Sequence, residues 1–357
     1  RRLCDKHHIT CIAIGNGTGS KESEIFVADF IKEYGGGIAY MVVSEAGASV
    51  YSASKLGAEE FPDFDVSLRS AVSIARRLQD PLAELVKIDP KAIGVGQYQH
   101  DMPQARLSEA LDGVVEDCVN AVGVDLNTAS PALLSRVAGV TSTVSKNIAA
   151  YREQNGKFES RKQLLKVKGL GPKAFEQCAG FLRVPDGANL LDRTAVHPEA
   201  YEAAQTLLTL CGYTDEDAAQ GKISELPARV KQLGAADTAK RCGVGVPTLN
   251  DIVSELIKPG RDPRDELPPP MLRSDVLDLN DLKPGMKLKG TVRNVADFGA
   301  FVDIGVHQDG LVHISQLCNR YVKHPSEVVT VGDIVDVAVL SVDPKSHRIA
   351  LTMKNVK

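Results

Sequence analysis

The sequence lacks the features that mark membrane-spanning, secreted or disulfide-stabilised proteins. No apolar run approaches the roughly 18 residues of a spanning helix, and the chain opens on Arg1-Arg2 rather than on an apolar leader. Its 7 cysteines are odd in number and form no CxxC pair or Cys/His cluster. We therefore expect an intracellular protein in a reducing compartment, with no metal site, cofactor, membrane partner or small-molecule substrate.

A net positive charge is also absent, since the formal charge is -4 at pH 7. This excludes a uniformly basic nucleic-acid binder, so any surface for a polyanion must be local. One such region runs from Arg136 to Arg183 and contains ten basic residues and three acidic ones. A charge cluster counts only where a phosphate-binding motif coincides with it.

The length of 357 residues exceeds what one hydrophobic core usually supports, so we expect a multi-domain α+β protein. Strand and helix patterns alternate over residues 1–100, and helical periodicity dominates residues 101–185 and 186–258. A linker rich in proline and charge covers residues 259–281. Alternating β-branched and aromatic residues return over residues 282–357, which predicts an all-β domain.

An internal repeat marks the basic helical region. Residues 130–152 and 160–182 superpose with an offset of 30, pairing Leu134 with Leu164, Val137 with Val167, and Gly139 with Gly169. The second copy matches the helix-hairpin-helix pattern, in which a Gly-hydrophobic-Gly turn joins two short helices. Residues 101–185 are therefore predicted to be a tandem helix-hairpin-helix domain.

The chemistry of the second turn suits a phosphate. Gly169, Leu170 and Gly171 form the turn between Lys168 and Lys173. Glycine permits the turn and leaves main-chain amides open to an anion, while the lysines add attraction without base readout.

The other glycine turns carry weaker signals. In the first copy Thr141 replaces the second glycine, so Gly139 and the nearest cation, Lys146, form a weaker candidate. The alternative is that these turns are purely structural. A third turn, Gly243-Val244-Gly245, is interpreted as structural because it lacks flanking cations.

The C-terminal segment resembles the S1-type RNA-binding domain, a five-stranded OB barrel. The resemblance rests on Phe298-Gly299-Ala300-Phe301, Gly310-Leu311-Val312-His313 and Arg348-Ile349-Ala350-Leu351. It implies that aromatic rings stack on unpaired bases and that cations contact the backbone. The implied binding residues are Phe298, Phe301, His313, Asp343 and Arg348, with Lys289 and Arg293 nearby.

Strand alternation raises a difficulty for this binding face. It would place Phe298 and Phe301 on opposite faces, so a bulge or kink near Gly299 is needed if both rings are to bind bases. The alternative is that the phenylalanines are core residues and that His313 caps a turn.

Over the whole chain the sequence resembles the Tex transcription accessory proteins. Val43-Ser44-Glu45-Ala46-Gly47-Ala48 and Gly96-Gln97-Tyr98-Gln99-His100-Asp101 carry the resemblance together with the S1 pattern. It implies a YqgF domain of RNase H-like fold, N-terminally incomplete here, then tandem helix-hairpin-helix, a second helical domain and S1. Glu45 and Asp65 resemble two of the acidic positions of RNase H-like nucleases, and the first has no counterpart. We interpret both as remnants or structural caps.

Three functions compete. The preferred one is a non-catalytic protein that binds RNA, DNA or both in transcription or RNA metabolism. The second is a metal-dependent nuclease or resolvase that uses the RNase H-like domain. The third is a scaffold that docks on RNA polymerase or the ribosome.

Overall fold

The computed structural model describes residues 1–259, 262, 264, 272, 282–306, 309–343 and 348–356. Most of the predicted linker at 259–281 therefore lies outside the described residues. The chain divides into two compact units, residues 46–267 and residues 1–45 together with 268–357. Within the described part of the chain, no helix is both long enough and apolar enough to cross a membrane.

Residues 1–45 contain two parallel strands that flank one long helix. The elements are α1 (Arg2–His7), β1 (Cys11–Gly15), α2 (Ser20–Tyr34) and β2 (Ala39–Val43). β1 pairs with β2 from Cys11 opposite Ala39 to Gly15 opposite Val43. The helix buries Val27 and Ile31 against Ile14, Ile38 and Tyr40. The predicted α/β start of the chain is confirmed.

Residues 46–257 are almost entirely helical, as predicted for residues 101–258, whereas the alternation of strands and helices predicted for residues 1–100 ends at Val43. Helices α3–α8 are Ala48–Ala53, Lys55–Glu60, Val66–Gln79, Pro81–Leu85, Pro90–Ile93 and Gln104–Val122. The next elements are β3 (Val124–Asp125), α9 (Pro131–Leu134), α10 (Ser142–Asn155), a 3-10 helix (Arg161–Lys166), α11 (Pro172–Cys178) and β4 (Leu182–Arg183). Helices α12–α16 are Tyr201–Leu210, Asp215–Ala219, Leu226–Leu233, Ala235–Arg241 and Val246–Ile257.

The two repeat copies share one hydrophobic core. The paired positions Leu134 and Leu164 are both fully buried, and Val137 and Val167 are 2% and 3% exposed. β3 and β4 pair in parallel at the two ends of the repeat and so tie those ends together. The offset of 30 residues in the sequence therefore corresponds to a repeat in space.

Residues 190–257 pack around a separate core. Its fully buried side chains include Leu207, Ile223, Leu226 and Leu249. Two helix-breaking glycines, Gly234 and Gly243, adopt positive φ between consecutive helices. This second helical domain was expected from the helical periodicity.

Arg161 belongs to the basic cluster predicted from the sequence, but it is buried and has a structural role. It is 1% exposed, and its guanidinium donates to the carbonyls of Leu182 at 2.6 Å, Val196 at 2.7 Å and Thr194. It also donates to the Tyr201 hydroxyl at 2.9 Å, which donates to Asp192 at 2.6 Å. A buried cation is tolerated where its protons are used in this way.

The C-terminal domain is a closed five-stranded barrel in the order β5-β6-β7-β9-β8. Its strands are β5 (Lys287–Ala296), β6 (Gly299–Asp303), β7 (Gly310–His313), β8 (Ile334–Asp343) and β9 (Arg348–Thr352). Alternate residues point inward, including Val302, Val312, Val337, Ile349 and Leu351. The predicted OB-type barrel is confirmed.

Replacing Arg161 should test its structural role. Arg161→Ala removes the donors of three carbonyls and should cost about 3 kcal/mol or more of stability. The neighbouring Lys162 is exposed, so Lys162→Ala is the matched control and should change stability little. Urea unfolding followed by helical circular dichroism measures both, and equal stabilities would contradict the prediction.

Candidate nucleic-acid interface

The two hairpin turns share one backbone geometry. Gly139 and Gly169 have φ of 78° and 86°, in the left-handed region that favours glycine. The amide of Val140 donates to the carbonyl of Val137 at 3.0 Å, and the amide of Leu170 donates to that of Val167 at 3.1 Å. Val140 and Leu170 are both buried, so each apolar turn residue anchors its hairpin to the core.

Each glycine turn packs against the second helix of the other hairpin. A Cβ on Gly139 would lie 2.7 Å from Cβ of Gln177, and one on Gly169 would lie 3.8 Å from Nδ2 of Asn147. Asn147 and Gln177 are themselves repeat partners, 30 residues apart. Asn147 also donates to the carbonyl of Lys168 at 2.7 Å. The hairpins are therefore related by approximate twofold symmetry.

The two hairpins differ at the start of their second helices. Thr141 caps α10 by accepting a hydrogen bond from the amide of Val144 at 3.3 Å. Gly171 precedes α11 and has no side chain to do this. The amides of Lys173 and Ala174 bond to no described residue, so the second turn is the more open to an anion.

Only part of the predicted basic cluster is free at the surface. Arg136 contacts Asp112 at 2.6 Å, and Arg152 donates to the carbonyls of Leu126 and Ala129. Lys157 lies 3.6 Å from Asp186, and burial lowers the pKa of Arg183. Five exposed lysines contact no described carboxylate: Lys146, Lys162, Lys166, Lys168 and Lys173. The charge count from the sequence overstated the accessible charge.

On the barrel, the two predicted phenylalanines lie together. The ring centroids of Phe298 and Phe301 are 6.0 Å apart, and the rings meet edge to face at 89°. Phe298 is 51% exposed, and Phe301 is partly exposed. Neither ring is sealed inside the barrel, so the alternative that both are core residues is wrong.

The reason for this placement differs from the prediction. Phe298 lies in the turn before β6, so strand alternation does not apply to it. The β6–β7 register runs unbroken from Gly299 opposite His313 to Val302 opposite Gly310. The irregularity instead lies on β5, between Val292 and Asn294. Of the bulge or kink considered near Gly299, the β6–β7 pairing shows no bulge, and the rings meet because Phe298 lies in the turn before β6.

Gly299 is required because two strands approach closely. A Cβ there would overlap the carbonyl oxygen of Val312 on β7. The amide of Ile314 donates to the carbonyl of Phe298 at 2.8 Å and holds the turn beside β7. The aromatic turn and the end of β7 therefore form one site.

His313 caps a turn and is also accessible to a ligand. Its Nδ1 accepts from the amide of Ser315 at 3.3 Å and lies 2.9 Å from the Ser315 hydroxyl, so it caps the following 3-10 helix. Its side chain is also exposed. It therefore ends β7 beside Phe298 with a ring edge open to a ligand.

Strand register places the other predicted residues on the same outer face. Phe301 pairs with Leu311, and Leu311 pairs with Ala350 of β9. Because residues two apart share a face, Arg348 lies on the face of Ala350, and its partner Asp343 lies there too. Arg348 and Asp343 are both exposed.

The two remaining cations differ from each other. Lys289 is exposed on β5, opposite Asp336. Arg293 donates to Asp303 at 2.8 Å, so its charge is partly compensated. The expectation that Arg293 simply serves the nucleic-acid backbone is weakened by this ion pair.

Asp65 and Glu45, interpreted from the sequence as remnants or structural caps, have structural contacts. Asp65 caps α5 by accepting from the amide of Leu68 at 2.8 Å. The amide of Glu45 donates to Asn16 at 3.0 Å, and its carboxylate occupies the space where a side chain on Gly17 would be. Within the described residues, no three His, Cys, Asp or Glu side chains are grouped to hold a metal ion.

The third glycine turn has hairpin geometry too. Gly243 has φ of 71°, and Gly245 precedes α16 without a side-chain cap. Lys240 and Arg241 end the preceding helix and are exposed. The statement that this turn lacks flanking cations was therefore wrong.

Comparison with known families finds four matches along the chain. The matches are the Tex protein YqgF-like domain over residues 1–79, a helix-hairpin-helix motif over 119–183, an HHH domain over 189–264 and an S1 RNA binding domain over 281–354. The chain thus carries the domain set of a nucleic-acid-binding protein.

Several whole proteins align along almost the full chain. Protein YhgF of Escherichia coli is 60% identical over 99% of this chain and 45% of its own length. Transcriptional accessory protein Tex of Neisseria gonorrhoeae is 57% identical over 99% and 46%. Human S1 RNA-binding domain-containing protein 1 is 39% identical over 97% and 40%. The chain belongs to the Tex family and spans about half the length of the curated relatives it matches.

The two glycines of the second turn make a matched pair of substitutions. Gly169→Ala forces alanine into left-handed backbone and should cost about 1–2 kcal/mol. Gly171 has φ of -85°, and a Cβ on it would meet no atom within 4 Å, so Gly171→Ala should leave stability unchanged. Urea unfolding compares them, and a larger loss for Gly171→Ala would contradict the geometry.

Proposed function

We propose that this chain is a non-catalytic nucleic-acid-binding protein that acts in transcription or RNA metabolism. Its barrel binds single-stranded RNA or DNA by base stacking, and its second hairpin turn binds the sugar–phosphate backbone. The observation that carries the proposal is the pair of contacting phenylalanine rings on the outer face of an S1-type barrel.

Stacking supplies the affinity at this face. Phe298 leaves half of its surface in water, so a base that covers the ring removes apolar area from solvent. Each stacked base contributes about 1–3 kcal/mol and is tolerated in any sequence. Since the two rings touch, they act as one platform rather than as two independent sites.

Cations and acidic residues lie at the same end of the barrel face. Arg348 and Lys289 are exposed and suit a phosphate. At the end of β6, burial and the nearby Asp303 raise the pKa of Asp309, which marks an acidic edge. Because Leu311 pairs with Ala350 and Thr291 pairs with Asp303, Arg348 and Lys289 lie at this same end of the barrel, so the acidic edge is flanked by cations.

The hairpins add contacts that carry no sequence information. The turn around Gly169 and Gly171 presents unpaired amides beside Lys168 and Lys173. The capped first turn, with Gly139 and Lys146, contributes less. This division supports binding that is sequence-tolerant and sensitive to salt.

The nuclease alternative finds little support in the contacts of Glu45 and Asp65. Asp65 uses a carboxylate oxygen to cap α5, and Glu45 packs over Gly17. Two-metal hydrolysis needs carboxylates that bridge cations. We therefore assign both residues structural roles.

Partners and compartment follow from the same proposal. RNA polymerase or the ribosome would be the assembly on which such a chain acts, and the name of the gonococcal relative supports transcription. All 7 cysteines are free, which supports a reducing intracellular compartment.

Removal of the aromatic platform should weaken single-strand binding. Phe298→Ala and Phe301→Ala should each cost about 1–3 kcal/mol, and the double variant less than their sum because the rings contact each other. Filter binding to oligouridine at fixed salt measures this. Phe26→Ala is the control, since Phe26 is 72% exposed on α2. Unchanged affinity in a folded double variant would refute the stacking model.

A cleavage assay tests the non-catalytic assignment. Labelled RNA, DNA and branched DNA should stay intact with the chain and Mg²⁺ or Mn²⁺, because Glu45 and Asp65 are engaged in structural contacts rather than set to bridge two cations. Cleavage that Glu45→Gln abolishes would overturn the assignment. Cleavage unaffected by Glu45→Gln would also contradict the assignment, unless a mock purification without the chain cleaves equally.

A further inference from the structure

A fully exposed tyrosine stands in the loop after β7. Tyr321 is 92% exposed, which is the largest value for any large apolar side chain among the described residues. Arg320 and Lys323 flank it, are themselves exposed, and contact no described carboxylate. An aromatic ring between free cations has the composition of a stacking site for nucleic acid.

The loop around Tyr321 is fixed by contacts of its neighbouring residues, and the tyrosine ring stays exposed. Val322, the next residue, is 5% exposed and packs inward. The Cys318 thiol donates to the carbonyl of Arg320 at 3.5 Å, and Asn319 donates to Asn355 at 3.2 Å. The tyrosine is therefore presented by an anchored backbone, which lowers the entropy cost of binding a base.

The loop starts at the same end of the barrel as the aromatic platform. The amide of Ile314 bonds to the carbonyl of Phe298, and two residues later Gln316 accepts from the amide of Met353 at 2.9 Å. Asn319 then reaches Asn355 beyond β9. The chain thus leads from the platform across the end of β9 towards Tyr321.

Arg348 is level with Asp309 at the acidic end of the barrel face, so cations lie at both ends of that face. Asp303 and Asp309 lie at the end of β6 and the start of β7, while Gly299 and His313 lie at the opposite ends of these strands. The loop that follows His313 carries Arg320 and Lys323, and Asp297 is the acidic residue in the turn before Phe298. Arg320 and Lys323 therefore attract a phosphate backbone that leaves the platform towards the loop.

We infer that Tyr321 is a second base-stacking site, which extends the path of single-stranded nucleic acid from the Phe298–Phe301 platform to the Arg320–Lys323 loop. This inference rests on the proposed function of the barrel face. It requires a ligand long enough to cover both places. An OB fold covers roughly 4–16 nucleotides, so short and long oligonucleotides separate the two sites.

Fluorescence can report stacking at each site separately, because the chain contains no tryptophan. Tyr321→Trp and Phe298→Trp each introduce a single reporter. Oligouridine of about 16 nucleotides should quench both, and oligouridine of about 4 nucleotides should quench Phe298→Trp more strongly. Tyr98→Trp is the matched control, since Tyr98 is 68% exposed elsewhere in the chain, and it should not be quenched.

Affinity gives a second readout. Tyr321→Ala should weaken binding of the long oligouridine by about 5-fold or more, the loss expected for one stacked base, and leave the short one unchanged. Its thermal unfolding should match that of the unmodified chain, because an exposed ring buries almost no area. Tyr98→Ala should bind both oligonucleotides normally.

The quenching and affinity results distinguish a failure of this inference from a failure of the proposed function. Quenching of Phe298→Trp without quenching of Tyr321→Trp by the long oligouridine overturns the inference and leaves the proposed function standing. No quenching of Phe298→Trp, together with normal affinity of the Phe298→Ala, Phe301→Ala variant, overturns the proposed function itself. Quenching of Tyr98→Trp to the same extent shows non-specific association and contradicts both.

Discussion

The candidate interface depends on one close approach between strands β6 and β7. At Gly299 the backbone of β6 lies so near the Val312 carbonyl that any side chain would overlap it. Strand β6 begins at this residue, so Phe298 lies in the preceding turn, beside Phe301 and the end of β7. Base stacking at this face requires that arrangement, since a regular strand through Phe298 would send the two rings to opposite faces.

The two hairpins of the helical region share one structural plan. Both hairpins use a left-handed glycine and a buried apolar residue, and each packs against the other. They differ at the residue before the second helix. Thr141 caps α10 with its hydroxyl, whereas Gly171 has no side chain to cap the first amides of α11. Arg161 then links the second hairpin to the following segment through buried carbonyls, where a cation serves packing rather than ligand binding.

Much of the fold could be predicted from the sequence because its signals are local. Each copy of the 30-residue repeat, each glycine turn and each strand of the S1 pattern is recognised from residues close together in the sequence, and all of them appear in the structure. What could not be predicted depends on long-range packing. A charge count does not reveal that Arg161 is buried or that Arg293 pairs with Asp303. Alternation along β6 does not reveal that Phe298 precedes the strand, and the exposure of Tyr321 follows from loop anchors distant in sequence.

Direct mapping of the bound strand tests the central claim that the aromatic face of the barrel stacks on bases. Ultraviolet crosslinking joins oligouridine to the side chains that it touches, and mass spectrometry of the digested complex locates the adducts. The account predicts adducts on the peptides that contain Phe298, Phe301 and His313. Adducts confined to other parts of the chain, with none on these peptides at saturating oligouridine, would contradict it.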